Sequence, residues 1–88
     1  MMTVQVQYFA RFRERLGLAE ETVSLTPETV RLQALRQSLA ARGGVWAEVL
    51  GPGSPLMIAV NQALYPCSQD LDLEPGDEIA FFPPVTGG

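Results

Sequence analysis

Residues 81–88 read FFPPVTGG, two aromatics and two prolines followed by Val85, Thr86, Gly87 and Gly88. Consecutive prolines favour an extended, semi-rigid backbone, so Pro83 and Pro84 predict a stiff neck. The four residues beyond it reach roughly 13–14 Å. Gly87 and Gly88 carry no side chain, which would let a terminal carboxylate enter a slot too narrow for any other residue. Such a carboxylate is ionised at neutral pH and inert until activated. Adenylation by a nucleotide-dependent partner would turn its carbon into an electrophile. A sulfur donor attacking that carbon would leave a thiocarboxylate, whose sulfur is itself a nucleophile. A frayed end of no consequence is the alternative, since terminal residues are commonly poorly ordered. Fraying, however, gives no reason for the Pro-Pro spacing or for Gly-Gly.

Nothing in this chemistry needs His, Lys or Cys from the chain itself, and the composition agrees. His is absent, and all six basic residues are arginines, spread between Arg11 and Arg42. Without His there is no histidine general base, no Ser-His-Asp triad and none of the commonest zinc sites. Without Lys there is no Schiff base. Independent catalysis is therefore not expected, nor is a metal or cofactor bound by this chain. A net charge of −4 argues against a nucleic-acid partner. The longest apolar run, Leu56 to Val60, is far too short to span a bilayer. The opening MMTVQVQ lacks the basic and apolar regions of a signal peptide. The single Cys67 excludes an internal disulfide, so a reducing cytoplasm is the expected location.

The elements that must position the tail follow from periodicity. Residues 3–9 alternate, with Val4, Val6 and Tyr8 on one face and Thr3, Gln5, Gln7 and Phe9 on the other, as in a half-buried strand. Residues 10–19, with three arginines and Gly17, are expected to be a loop with room for a helical turn. A second strand over about 20–25 would turn Val23 and Leu25 inward, making a hairpin with the first. Thr26 as N-cap, Pro27 at the first position and Glu28 in the first turn predict a helix start. Its apolar stripe is Leu32, Leu35 and Leu39, and Arg42-Gly43-Gly44 ends it. A short helix over 45–50, a GPGSP loop, a strand at 56–60, a turn at Asn61-Gln62 and a short strand at 63–65 come next. After a turn at Glu74–Asp77, the last strand places Ile79 and Phe81 on one face and Ala80 and Phe82 on the other. This order predicts an α+β fold: a mixed sheet of about five strands packed on one main helix, its first and last strands central neighbours. That is the ubiquitin-like β-grasp arrangement. Residues 1–82 would form the β-grasp domain and residues 83–88 an extended C-terminal Gly-Gly tail.

One face of such a sheet has no second layer to cover it. Phe9 and Phe82 fall on that outer face, and Leu64 is a candidate to join them as a docking patch beside the tail. Alternatively, the segment at 10–19 folds over the aromatics. Asp70, Asp72, Glu74, Asp77 and Glu78 form an acidic run without calcium-loop spacing, better read as a solvated turn or a charged rim. Cys67 has no basic neighbour in sequence to activate its thiol.

VNQAL at 60–64 and GDEIAFFPPVTGG at 76–88 resemble the small, sulfur-carrier subunits of molybdopterin synthase, the molybdopterin-converting factor family. YFARFRERLG near the N-terminus extends the likeness over nearly the whole chain. The resemblance implies a cycle. A ubiquitin-activating-type adenylyltransferase would use ATP to adenylate Gly88, and a persulfide sulfurtransferase would supply sulfur. The tail would then enter the large synthase subunit, where its sulfur passes to cyclic pyranopterin monophosphate and builds the molybdopterin dithiolene. Family members form a heterotetramer of two large and two small subunits. By position, Gly88 would bear the sulfur, Gly87 would be its thin approach, and Val85 and Thr86 would line the channel. Phe9, Arg13, Leu64, Phe82, Pro83 and Pro84 would be partner-binding positions. The Cys67 segment and the GPGSP loop are less typical of the family.

Two other readings share the Gly-Gly end: a sulfur carrier for another pathway, such as thiamin thiazole synthesis, and a ubiquitin-like modifier conjugated through Gly88. Without Lys, the chain cannot build lysine-linked polymers on itself, although single attachment to targets stays open. A binding module with an inert tail is the third.

Overall fold

Strict alternation makes β1 (Thr3–Tyr8) the strand that its sequence predicts, with Val4, Val6 and Tyr8 all buried. The computed structural model describes residues 2–84. In it β1 pairs antiparallel with β2 (Glu20–Ser24), Val4 opposite Val23. On its other side β1 runs parallel to β5 (Glu78–Phe82), Tyr8 opposite Phe81. β5 pairs antiparallel with β3 (Met57–Val60), and β3 with the three-residue β4 (Ala63–Tyr65). The sheet order β2-β1-β5-β3-β4 is the mixed β-grasp order, with the first and last strands at its centre.

Three helices close the inner face: the main helix, the short helix expected over 45–50, and a third beyond those expected. Residues 10–19 hold α1 (Ala10–Leu16), correcting the loop expected there. Phe12 and Leu16 lie one turn apart and face the core, while the arginines point outward. Gly17, at φ 68°, ends the helix by donating its N–H to the Arg13 carbonyl at 2.9 Å, a left-handed stop that favours glycine. The start signals at Thr26 also act more locally than expected. Thr26 caps a single 3-10 turn, Pro27–Thr29, through the Thr29 hydroxyl and backbone. Arg31 then leaves helical geometry to form a β-bridge with Asp72.

The main helix α2 (Leu32–Ala40) starts afresh and buries Leu32, Leu35 and Leu39. Its first turn is capped from a distant part of the chain. The Gln33 N–H donates to Asp70 Oδ1 at 3.0 Å, and the Arg31 guanidinium donates to Asp70 Oδ2 at 2.9 Å. The Gln33 amide first, and then Arg31, hold the Asp70 carboxyl below its ordinary range. Asp77 does a comparable job in the preceding turn of β5, accepting from the Glu74 N–H at 2.8 Å and from Asn61 Nδ2 at 2.9 Å. The acidic run is thus dispersed among separate structural tasks. Among the described residues no group of three or more potential metal ligands forms.

α3 (Val45–Leu50) packs beside α2 and adds Val49 and Leu50 to the core. Arg36 ties the two helices together. It is only 9% exposed, yet its guanidinium donates to the carbonyls of Leu50 at 2.8 Å and Gly51 at 2.9 Å, and to that of Cys67 at 3.3 Å. A cation set against the end of α3 satisfies carbonyls that the helix leaves open. The leucine stripe alone does not reveal this role.

On the other side of the core, Glu21 on β2 joins three further elements. It accepts from the Tyr8 hydroxyl at 2.8 Å and, through both oxygens, from Arg42 at 2.8 and 2.9 Å. Arg42 lies over Trp46 at 4.4 Å, and Tyr8 meets Trp46 edge-on at 5.4 Å while stacking on Phe81 at 6.1 Å. Burial alone would raise the Glu21 carboxyl. The hydrogen bonds from Arg42 and Tyr8, together with the charge of Arg42, outweigh it and hold the group below its ordinary value of 4.5. Burial, and then the Glu21 bond and charge, push the Tyr8 hydroxyl far up.

Two predictions follow from these contacts. Arg36→Leu removes the side-chain donor of the Leu50 carbonyl and leaves those of Gly51 and Cys67 with only the Ser54 N–H and Gln33 Nε2. It should lower unfolding stability by about 1–3 kcal/mol, read from urea midpoints. Because the folded Glu21 pKa is depressed, its contribution is complete above 4.5 and disappears as pH falls through the lower folded value. Glu21→Gln should therefore be less stable than wild type at neutral pH and should flatten the acid limb of the stability curve, with Trp46 fluorescence as the probe. An unchanged acid limb would show that Glu21 is not a principal carboxylate of acid unfolding.

Candidate functional site: the outer sheet face at the tail exit

With every helix on the inner face, the outer face of β5 and its neighbours is left uncovered. Period-two alternation puts Glu78, Ala80 and Phe82 of β5 on that face. Ala59 of β3 stands opposite Ala80, so two small side chains sit side by side at the centre of the sheet. Larger neighbours rise around them, and the result is an open groove of about 680 Å³. Phe9, Phe82, Pro83 and Pro84 line one part of it, and Gln7, Gln62 and Glu78 also contribute.

Local backbone geometry sets the two flanks. Phe9 extends the β1–β5 ladder by one bond, its N–H donating to the Phe81 carbonyl at 3.2 Å. The next residue, Ala10, has φ 55°. For a residue with a Cβ, that left-handed geometry costs about 1–2 kcal/mol. The turn leaves Phe9 on the outer face at 44% exposed while Phe12, three residues on, enters the core. The Phe9 and Phe82 rings meet edge to face at 6.5 Å. At the β3–β4 turn, Asn61 and Gln62 have φ 50° and 71°, the left-handed pair typical of a two-residue hairpin. Asn61 locks that turn to the start of β5: its N–H donates to the Glu78 carbonyl at 2.8 Å, and its Oδ1 accepts from the Glu78 N–H at 3.0 Å.

The structure therefore brings together four of the residues singled out from the sequence: Phe9, Phe82, Pro83 and Pro84. The segment at 10–19 does not fold over them, because α1 sends Phe12 inward. Leu64 shares the outer face, opposite Ala59 on β4 and 61% exposed, but stands outside the groove lining as an extension of the apolar surface. Arg13 is exposed on α1, away from the lining, and makes no ion pair among the described residues. Val85, Thr86, Gly87 and Gly88 lie outside the described residues.

Sequence reasoning missed Ala59, Gln62 and the placement of Glu78. Alternation through β5 gives Glu78 the face of Ala80 and Phe82, so that signal was present. Ala59 becomes part of the floor only through its pairing with Ala80. The groove offers apolar surface with one carboxylate, an arrangement suited to docking a protein surface rather than to acid–base or nucleophilic chemistry. Cys67 is half-buried against the core, and its carbonyl accepts from Gln33 Nε2 at 2.8 Å. Among the described residues no helix is long and apolar enough to cross a membrane.

The ThiS family model matches residues 6–88 of the chain. A molybdopterin synthase sulfur carrier subunit of Escherichia coli is 47% identical over 85 residues, covering 97% of this chain and 99% of that protein. Its counterpart in Haemophilus influenzae is 41% identical with the same coverage. Among solved structures, a chain from the complex of subunits 1 and 2 of the molybdopterin-converting factor of Helicobacter pylori 26695 superposes with a TM-score of 0.66. The two are 28% identical, with 99% of this chain and 100% of that one covered. Family model, relatives and superposition all cover nearly the full length of this β-grasp chain: it belongs to the ThiS family, alongside the molybdopterin synthase sulfur carrier subunits.

Proposed function

We propose that this chain is the sulfur-carrier subunit of a molybdopterin synthase and that Gly88 carries the sulfur. The observation that supports this most strongly is the family match, which runs through residue 88 and joins relatives of that name at 41% and 47% identity over 97% of the chain. The geometry adds a reason for the shape. Pro83 and Pro84 leave β5 at the rim of the groove, so a partner seated on Phe9 and Phe82 lies beside the start of the tail.

In the proposed cycle the carrier supplies only its terminal carboxylate. An adenylyltransferase of the ubiquitin-activating type joins it to the α-phosphate of ATP, and pyrophosphate leaves. The terminal sulfur of an enzyme persulfide then displaces AMP from the acyl carbon. A thiol of the activating machinery cleaves the resulting acyl disulfide, releasing the thiocarboxylate and leaving a disulfide on the partner. Val85 and Thr86 line the path into the large synthase subunit, and side-chain-free Gly87 and Gly88 pass its narrowest part. There the thiocarboxylate sulfur adds to cyclic pyranopterin monophosphate, and water cleaves the acyl–sulfur bond, leaving the sulfur on the pterin and returning the Gly88 carboxylate. A dithiolene holds two sulfur atoms, so two charged carriers are consumed for each product, in keeping with a complex of two small and two large subunits. ATP belongs to the activating partner, and the carrier contributes no catalytic side chain.

Intact-mass measurement after incubation with the adenylyltransferase, ATP and a sulfur source should show the gain expected when one oxygen is replaced by sulfur. The gain should vanish when Gly88 is removed. A gain that persists without Gly88 would place the sulfur elsewhere and overturn the assignment. Separately, Phe82→Ala should weaken binding to the large subunit by roughly tenfold or more, as expected for an aromatic anchor at an interface centre. Calorimetric titration reads this directly, and undiminished affinity would move the interface off this face.

A further inference from the structure

The groove is mostly apolar, with Gln7 and Gln62 as neutral polar members of its lining. Of the residues that line it, Glu78 alone is ionisable. Its backbone is fully engaged by Asn61, yet its side chain is exposed and takes part in no hydrogen bond or ion pair among the described residues. Most other carboxylates at this end of the sheet have work to do within the chain: Asp70 and Asp72 hold Arg31, and Asp77 holds the turn and Asn61. Glu78 and Phe82 are four residues apart on one face of β5, a separation of about 13 Å. A carboxylate therefore marks one end of the groove, and the aromatic pair with the prolines marks the other, where the tail leaves.

We propose that Glu78 is a specificity residue of this docking face, pairing with a lysine or arginine on an otherwise apolar segment of the large synthase subunit that lies along β5. The proposal rests on the reading of the chain as that subunit's carrier. Charge complementarity argues for this occupant. A purely apolar segment would desolvate Glu78 without compensation, which is costly. A second copy of this chain, with its net charge of −4, would bring like charge towards it. A cation at Glu78 also fixes the register of the partner along the strand, and with it the direction in which the tail leaves the interface. Two anchors 13 Å apart, approximately, define an orientation that an apolar contact alone leaves loose.

Titration of the full-length chain with the large subunit, at low and at high salt, tests this. Glu78→Gln should weaken binding roughly tenfold at low salt and lose much of the salt dependence, and Glu78→Lys should weaken it further. Glu74→Gln removes the same charge from an exposed turn outside the groove and should stay within about twofold of wild type. The backbone bonds to Asn61 survive each change at position 78, so unaltered melting curves should confirm folding. If wild type binds but Glu78→Gln binds equally well, or Glu74→Gln weakens binding as much, the specific role of Glu78 is wrong. If wild type itself does not bind the large subunit, the proposed function fails first. If the wild-type chain instead dimerises through this face, seen as concentration-dependent sedimentation that Phe82→Ala abolishes, the occupant is a second copy and the proposal is overturned.

Discussion

The parallel pairing of β1 with β5 is the contact on which the rest of the molecule depends. It joins the beginning of the chain to its end, Gln5 opposite Glu78 and Tyr8 opposite Phe81, at the centre of the sheet. Because the two strands run the same way, their connection must travel around one face, and all three helices lie along that route. The inner face is thereby filled with Val6, Ile79, Phe81 and the α2 leucines, each essentially inaccessible. The same economy of elements leaves the other face bare. An uncovered groove beside the tail is thus a consequence of connectivity, not an addition to it.

Holding a short chain in this topology calls for contacts that span large sequence separations. Asp70 caps a helix that begins nearly forty residues earlier, through the Gln33 N–H. Arg36 joins α2 to the end of α3, and Glu21 ties the edge strand to Tyr8, Arg42 and, through Arg42, Trp46. Glu21 and Asp70 sit at the margins of the core, where charges keep partial hydration, while the buried Arg36 offsets its burial with carbonyl acceptors. Tyr8 also stacks on Phe81, whose neighbour Phe82 stands on the outer face. The last strand is consequently gripped from the inside while its outer side lines the open groove.

A rigid body and a thin tail divide the labour of a carrier. In the proposed cycle the terminal acyl group needs no catalytic neighbours of its own, because activation and transfer would take place on partners. The body would then have to be recognised and to point the tail correctly. The left-handed turn at Ala10 fits that reading: it is a strained position in a non-glycine residue, and it separates an aromatic exposed on the outer face from one that fills the core.

Local chemistry alone determined much of this protein. Alternation in residues 3–9 and 78–82, the Leu32, Leu35 and Leu39 stripe, and the turns at Asn61-Gln62 and Glu74–Asp77 all carry their structure within a few residues, and the β-grasp order followed from them. The Pro-Pro-Val-Thr-Gly-Gly end suggested the proposed tail chemistry by residue type, and its last four residues lie outside the described residues. The tertiary structure decided what depends on distant neighbours. Thr26 signalled a helix start correctly in kind, but pairing of Arg31 with Asp72 interrupted the run and Asp70 began it again. Three arginines disguised α1 as a loop, because only a core able to receive Phe12 reveals which side of that segment is apolar. Ala59 and Glu78 joined Phe9 and Phe82 in one groove through strand register, and register is a property of the assembled sheet rather than of any single strand.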